Sequence, residues 1–278
     1  MAQRGIRVFF VGSFFLSALI IAVPSCVQPL PQEAGPPPSR ADYATNVDRS
    51  FAAAGIKSLT IHCGPGALEI VGEEGRDEVA IEGVIHSHAT AFVEAKRIAG
   101  EVRLDLRSLK TENPVIAVAD PLIAGSDQGC EVDLMVKVPD GVALIIQDAA
   151  GRIEISGMRA GARVTSIAGP IEIEGISGGL RVSSGGGPCT IRDASGRIHV
   201  TDGAGDLTIS EITGDIEVQD TNGMLVIRNV TGNVVAADNP RGARISNIDG
   251  DLTLYRIEHA ACEIEGVLGK ITHAKDTP

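Results

Sequence analysis

Apolar and polar residues alternate over short stretches along most of the second half of the chain. From about residue 151 to 267, a glycine opens a run in which the third and fifth positions are apolar, as in Gly151–Ile155 and Gly205–Ile209. These glycines fall on one series of step nine: Gly151, Gly169, Gly178, Gly187, Gly196, Gly205, Gly214, Gly223, Gly232 and Gly250. A fixed period predicts a repeat architecture, in which each unit stacks on the next.

The residue two positions before each glycine shows that the structural unit is longer than nine residues. In alternate units it is apolar: Met158, Ile176, Ala194, Ile212, Val230 and Ile248. In the units between, it is mostly small or polar: Ile167, Gly185, Gly203, Thr221, Asn239 and Ile257. The pattern therefore predicts an 18-residue coil of two unequal halves. A 27-residue coil with three faces is the alternative, but an odd number of units per coil would mix the two classes.

The predicted fold is all-β, a single-stranded parallel β-solenoid with about 18 residues per coil. Seven coils are expected to begin at Val142, Ala160, Gly178, Gly196, Gly214, Gly232 and Gly250. The third and fifth positions should point inward and form a thin aliphatic core. One corner is filled by residues such as Ile212, and the other is a polar turn such as Asp202–Ala204. Near Ala260–Ile264 the pattern slips by one residue, as expected of a terminal coil.

The region before the repeat predicts irregular β structure with one short helix. Alternating pairs such as Leu59 and Ile61 predict strands, and Ala89–Ala99 predicts a helix that Gly100 ends. The domain boundaries that follow are 1–25, an export signal; 26–50, a lipid-attachment cysteine and proline-rich tether; 51–141, the N-terminal β region; and 142–278, the solenoid repeats.

The N-terminus has the features of an export signal. Arg4 and Arg7 precede the apolar run Val8–Val23, which is short for a membrane-spanning helix. Val23–Cys26 resembles a bacterial lipobox, although its proline departs from the usual pattern. We expect lipidation at Cys26, with plain secretion or an uncleaved anchor as alternatives, and localisation in the bacterial envelope on the periplasmic or the surface side.

Charge and cysteine content limit which partners, disulfides and metal sites the chain can have. The net charge of −12 disfavours nucleic acid as a partner, because phosphate backbones would be repelled. Export permits disulfides, and Cys63 and Cys130 are the candidate pair, since both precede the repeat. No Cys-x-x-Cys motif supports a zinc or thioredoxin-type site.

Two columns of charged residues recur at 18-residue spacing. Asp202, Asp220 and Asp238 share one repeat position with Asp148, and calcium between adjacent coils would relieve their repulsion. The alternative is that each aspartate caps its own turn and faces water. Arg163, Arg181 and His199 form a basic column on one outer face, a candidate ligand face for a sulfate, phosphate or uronic acid. Charged residues that only solubilise the strands are the alternative.

Two shorter motifs give weaker indications of a functional site. His86 and His88 lie on one side of a predicted strand, a candidate metal pair that lacks a third ligand at telling spacing. Gly175–Gly179 matches the Gly-x-Ser-x-Gly pattern of hydrolases, but it falls at a predicted solenoid corner rather than between a strand and a helix.

A resemblance to a known protein family rests on the exported start, the unit Gly66–Ile70, the short helix and the join Val136–Val142 into Gly-x-Ile-x-Ile repeats. With these features the chain resembles the bacterial putative adhesin family with a β-solenoid domain, related to head GIN-type domains. The resemblance covers about residues 56–272. It implies an envelope or surface location and a binding role, and it supplies no catalytic residues.

The expected function is that of a non-enzymatic, envelope-anchored protein acting in adhesion, scaffolding or surface glycan binding, without a cofactor. Its expected partners are the membrane, through a lipid, and envelope polysaccharide or another envelope protein. An envelope sensor or regulatory partner is one alternative. A carbohydrate-active β-helix enzyme is another, disfavoured because uniform nine-residue units leave little material for a cleft.

Overall fold

The computed structural model describes residues 40–119, 128–220, 222–239, 241–257 and 262–274, apart from the side chains of Asp148 and Ala149. The export signal, Cys26 and most of the tether lie outside these residues. All described residues belong to one compact unit.

The structure consists of two facing β-sheets and one short helix. The first sheet contains β1 (Ala41–Ala52), β3 (Leu68–Glu73), β4 (Glu78–Ala89), β7 (Gly129–Pro139), β9 (Ile153–Met158), β11 (Ile171–Ile176), β13 (Cys189–Ser195), β15 (Leu207–Thr213), β17 (Leu225–Thr231), β19 (Ala243–Asp249) and β21 (Cys262–Val267). Its spatial order is β1-β4-β7-β3-β9, followed by the odd-numbered strands to β21.

The second sheet contains β2 (Ser58–His62), β5 (Arg103–Arg107), β6 (Val115–Ala119), β8 (Ala143–Ala149), β10 (Ala162–Ser166), β12 (Leu180–Ser184), β14 (Ile198–Asp202), β16 (Ile216–Asp220), β18 (Val234–Ala237), β20 (Leu252–Tyr255) and β22 (Ile271–Ala274). Its order is β5-β6-β2-β8, followed by the even-numbered strands to β22.

Consecutive coils pair in parallel at a spacing of 18 residues, which confirms the predicted solenoid of about seven turns. In the first sheet Ile171 pairs with Cys189, and Cys189 with Leu207. In the second sheet Leu180 pairs with Ile198. In every coil before the last, the third and fifth positions of each unit point inward and are buried, as predicted, so the aliphatic core runs as columns between the two sheets.

The stack of coils begins before the regular repeat. β2 pairs in parallel with β8, and β3 with β9, so these two strands form a coil that precedes Val142. Beyond β3 the first sheet continues through β7, to which β4 and then β1 add in antiparallel order. The N-terminal β region therefore extends the same two sheets, and residue 142 marks a change of strand order within them.

The predicted short helix is present as α1 (Phe92–Glu101). It starts later than expected because Ala89 still pairs with Ala41 at the end of β4. Ala95, Ile98 and Ala99 are buried against β1 and β4. Phe92 is 56% exposed and makes an edge contact with the ring of Tyr43.

The predicted slip at the last coil is confirmed. Ala243 pairs with Cys262 and Leu252 with Ile271, a spacing of 19 residues instead of 18. The inward side chains of this coil are less covered than those of earlier coils, and Ile271 is 44% exposed.

Candidate functional site

The basic column lies on the outer face of the second sheet. Arg163, Arg181 and His199 occupy neighbouring strands β10, β12 and β14 and pair directly in register. Because side chains on a strand alternate between faces, the buried neighbours Val164 and Val182 hold these three side chains outward. Register pairing in parallel strands places successive residues about 4.8 Å apart.

A second column of hydroxyl groups accompanies the basic one. Thr165, Ser183 and Thr201 lie two residues further along the same strands and pair in the same register. They face the same side, so each of the three coils presents a basic group and a hydroxyl group together.

The two arginines of the column lack an acidic partner. In the described part of the chain, no carboxylate forms an ion pair with Arg163 or Arg181. His199 differs, because its Nδ1 lies 3.3 Å from Oε2 of Glu217. Two guanidinium groups on directly paired residues of adjacent strands repel each other, and an anion lying between them would relieve that repulsion.

The outer face of the first sheet shows the opposite arrangement. Glu154 and Glu172 lie on neighbouring strands of this face, and both contact Arg152. Glu174 lies 2.7 Å from Arg192. These three glutamates are therefore paired within the protein, whereas Arg163 and Arg181 form no ion pair with any described carboxylate.

The structure separates the three aspartates that the sequence grouped. Asp202 and Asp220 pair in register and are fully buried, with 0% of each residue exposed. Asp238 instead adopts a left-handed backbone with φ of 66°. Its carboxylate contacts Arg256 at 2.5 Å and accepts a hydrogen bond from Gln219 at 3.0 Å.

Asn239 takes the interior place beside Asp220 that Asp238 vacates. Its Nδ2 donates to Asp220 Oδ2 at 2.6 Å, and its Oδ1 accepts from the backbone amides of Arg241 and Gly242. With Ser166, Ser184, Asp202 and Asp220, it completes a buried polar column with one residue per coil. The alternative for these aspartates is confirmed in one part and wrong in the other: Asp220 caps its own turn, since the backbone amide of Asn222 donates to its Oδ1 at 3.2 Å, but neither Asp202 nor Asp220 faces water.

Burial dominates the electrostatics of this inner column. Desolvation raises the pKa of Asp202, although hydrogen bonds from Ser184 and the Gly203 amide oppose the shift. Desolvation also raises the pKa of Asp220, with the Asp202 charge adding to it. The nearby Cys189 thiol has its pKa raised to about 12, first by burial and then by Asp202. Among the described residues, no group of three or more His, Cys, Asp or Glu side chains is placed to hold a metal ion.

His86 and His88 gain acidic neighbours that the sequence did not reveal. They face a surface cavity of about 550 Å³ at the edge of the first sheet, together with Asp42, Glu131 and Asp133. His86 Nε2 lies 3.3 Å from Asp133 Oδ2, while the His88 ring lies over Gly129, where a Cβ would come within 2.1 Å. These carboxylates come from strands β1 and β7, which only sheet pairing brings beside β4.

Two further motifs are placed by the structure. Cys63 and Cys130 are both buried, each 8% exposed, and their disulfide stays a prediction. Ser177, the centre of the Gly-x-Ser-x-Gly match, lies at the corner between β11 and β12 and donates to the carbonyl oxygen of Arg159 at 3.1 Å. It is therefore part of the coil-to-coil hydrogen bonding at a corner.

One surface feature escaped the sequence reasoning. A groove of about 710 Å³ runs across the ends of β15, β17 and β19 and is lined by Asp193, Glu211, Asn229 and Asn247 on successive coils. We call it the corner groove. The 18-residue spacing of these four residues was visible in the sequence, but nothing there showed that their backbone turns outward.

No helix in the described residues combines the length and the apolar character needed to cross a lipid bilayer.

No protein-family model and no curated protein matches the chain. Among solved structures it is similar to a "putative cell adhesion protein" from Clostridium sporogenes, at 10% identity and a TM-score of 0.29, over 84% of this chain and 100% of the other. It is also similar to a "putative adhesin" from Parabacteroides merdae, at 12% identity and a TM-score of 0.30, over 83% and 96%. A third, from Bacteroides fragilis, shows 9% identity and a TM-score of 0.33, over 83% and 96%.

Proposed function

We propose that this protein is a non-enzymatic, envelope-anchored β-solenoid that acts in adhesion by binding an acidic glycan on the outer face of the second sheet. The observation that carries the proposal is the pair Arg163 and Arg181, which stand in register and form no ion pair with a carboxylate of the described residues.

The chemistry of this pair suits a sulfated, phosphorylated or uronic acid polymer. A guanidinium group offers a planar set of donors that matches the oxygens of sulfate, phosphate and carboxylate. The hydroxyl groups of Thr165 and Ser183 lie beside the arginines and can bind the sugar hydroxyls that flank each acidic group. His199, held by Glu217, extends the same column by one coil.

The buried aspartates support a binding role rather than catalysis. Burial raises the pKa values of the Asp202 and Asp220 carboxyl groups, as a general acid requires, yet both are enclosed in the core. A substrate on the outer face of the second sheet cannot reach them. The flat strand face around Arg163 and Arg181 excludes little water from a ligand.

Anchoring forms the second part of the proposal. An acylated Cys26, followed by a proline-rich segment, would hold the solenoid away from the membrane surface. A rigid rod at the end of a tether presents its flat face to polymers outside the bilayer.

The binding proposal is tested by reversing the two unpaired charges. The R163E/R181E double variant should bind a uronic acid polymer such as polygalacturonate at least about tenfold more weakly than wild type, because each charge-assisted hydrogen bond contributes roughly 1.5–3 kcal/mol. Isothermal titration calorimetry measures the affinity, and wild-type binding should weaken as salt is added.

The matched control is R192E/R228E, which changes the net charge equally on the outer face of the first sheet, where both arginines are exposed. It should bind nearly as well as wild type. Equal weakening in both double variants would point to overall charge rather than to this face. Binding unaffected by R163E/R181E would favour the sensor alternative, and turnover of the polymer by purified protein would contradict the non-enzymatic role.

A further inference from the structure

The corner groove is a built surface feature away from the basic column. Each coil contributes a polar residue that is exposed or half-buried, then a buried aliphatic residue, then a second polar residue. In three successive coils these are Glu211–Thr213, Asn229–Thr231 and Asn247–Asp249. The buried residues Ile212, Val230 and Ile248 anchor the base of the groove in the core. None of these residues takes part in the proposed binding of acidic glycan.

The backbone of the groove shows why polar side chains project along it. Asp193, Glu211, Asn229 and Asn247 all have φ between 50° and 57°, in the left-handed region. The equivalent residues of other coils are Gly157, Gly175 and Gly266, with φ between 65° and 69°. Glycine meets this requirement without steric cost, whereas a glutamate there is strained. Four consecutive coils keep a polar side chain where glycine would be easier to accommodate.

Hydrogen bonds order these side chains along the solenoid axis. Asn247 Nδ2 donates to Asn229 Oδ1 at 2.9 Å, and Asn229 Nδ2 donates to Glu211 Oε1 at 2.6 Å. Each amide has a second N–H, and each oxygen has a further lone pair. The ordered row therefore presents one free amide donor on each of Asn229 and Asn247 and at least one acceptor on every coil from Asp193 to Asn247.

The spacing of this row selects the type of polymer. Successive coils are about 4.8 Å apart, whereas an extended peptide returns a side chain to the same face only every 6.6–6.8 Å or so. A peptide would therefore lose register within two or three coils. A pyranose unit in an extended polysaccharide advances by a distance close to the coil spacing, so one sugar can face each coil.

The charge of the corner groove further limits which polymers can bind there. Asp193, Glu211 and Asp249 line it, and Arg192 beside it is already paired with Glu174. An acidic glycan or a nucleic acid would be repelled by these carboxylates. Carboxylate and amide groups in a row instead bind neighbouring sugar hydroxyls well, because each can accept or donate at two points.

We propose that the corner groove binds a neutral, extended polysaccharide that lies along the solenoid axis with one pyranose unit per coil. This site is independent of the acidic-glycan face, since it lies on the other sheet and involves other residues. The protein would then hold two glycan chains of opposite charge character on different faces.

The proposal is tested with neutral oligosaccharides of increasing length, cellohexaose and mannohexaose with their shorter homologues, by isothermal titration calorimetry. Affinity should rise with length up to about four units, the number of coils that carry polar groove residues. Added salt should have little effect, because no charge pairing is involved. Failure of wild type to bind either hexaose at millimolar concentration would overturn the proposal.

The variant for this test removes the side chains without disturbing the backbone. N229G/N247G places glycine at both positions, and glycine tolerates the positive φ there, as Gly157 and Gly175 show at the same position of other coils. It should fold and bind the hexaose about tenfold or more weakly than wild type, because amide hydrogen bonds to the sugar are lost. The matched control is D238G, a glycine replacement at φ of 66° outside the groove, which should bind normally.

R163E/R181E separates this proposal from the proposed function. It should leave hexaose binding unchanged. Equal hexaose binding by wild type and N229G/N247G would refute the groove site, whatever the outcome with polygalacturonate.

Discussion

At the scale of single residues, the periodic glycines are explained by contact between consecutive coils. A Cβ on Gly214 would lie 2.1 Å from the carbonyl oxygen of Gly196, one coil earlier, and Gly214 has φ of 143°. Gly205 has no positive φ, yet a Cβ there would lie 2.0 Å from Gly187 O. Close approach of backbones is therefore common to both corners, and positive φ is an additional requirement at Gly214.

Replacing Gly214 by alanine should destabilise the protein by about 1–3 kcal/mol, the typical cost of a strained backbone residue. Displacement of the neighbouring coil by the new Cβ should add to this cost. Urea denaturation measures the change in the free energy of unfolding. Gly100→Ala is the control, because a Cβ there contacts nothing within 4 Å and the residue lies in α1. It should stabilise by roughly 0.5–1 kcal/mol. Similar unfolding midpoints for both variants would contradict this account.

At the scale of elements, the inner polar column shows how one coil differs from the next. β14 and β16 end on Asp202 and Asp220, which point into the core. β18 ends one residue earlier, at Ala237, and the left-handed Asp238 then turns its carboxylate toward Arg256. Two aspartates at the same repeat position thus have opposite environments, because the interior place in that coil is filled by Asn239.

The buried carboxyl group of Asp202 should make stability depend on pH. Its folded-state pKa lies above the ordinary 3.8, so the folded protein binds more protons than the unfolded chain as pH rises from about 4 to the raised value. Stability from this group is therefore lost across that window. In D202N, which keeps the shape without the charge, this loss should disappear.

Chemical denaturation of wild type and D202N at pH 4 and pH 7 measures the effect. D202N should gain stability relative to wild type between the two pH values, by about 1.4 kcal/mol for each unit by which the Asp202 pKa is raised. A difference between the proteins that is the same at both pH values would show that the carboxyl group is not desolvated in the folded state.

Helix α1 also shows what local pattern can and cannot predict. The helical spacing of Ala95 and Ala99 predicted an element of the correct type, and both residues are buried. Its start shifted from Ala89 to Phe92 because pairing of β4 with β1 continues through Ala89. That pairing joins residues between 26 and 48 positions apart, from Ala52 with Glu78 to Ala41 with Ala89, which no local pattern reveals.

At the scale of the whole molecule, two sheets run through both the N-terminal region and the repeat. The basic column lies on one sheet and the corner groove at the ends of strands of the other. Each proposed ligand therefore has its own surface, and the net charge of −12 is compatible with a basic column because the arginines are concentrated locally.

Lipid attachment at Cys26 concerns the whole molecule, because it would fix the solenoid to a membrane. Wild-type protein expressed in a bacterium should partition with membranes and carry a mass increase on Cys26 at a new N-terminus. Cys26→Ser should lack the added mass and remain in the aqueous fraction. Mass spectrometry of the N-terminus provides the measurement, and an identical unmodified product from both proteins would rule the anchor out.

The 18-residue coil, its inward aliphatic positions, the short helix and the final register slip were all determined by the sequence alone. Each coil repeats the same local environment, so the same few positions must be apolar or glycine every time. Only the tertiary structure decided which polar residues are buried, as for Asp202 and Asp238, and which strands bring Asp133 to His86. It also decided that four left-handed residues form a groove. These features depend on contacts between coils and between distant strands, where a change of one residue in register moves a side chain from the core to solvent.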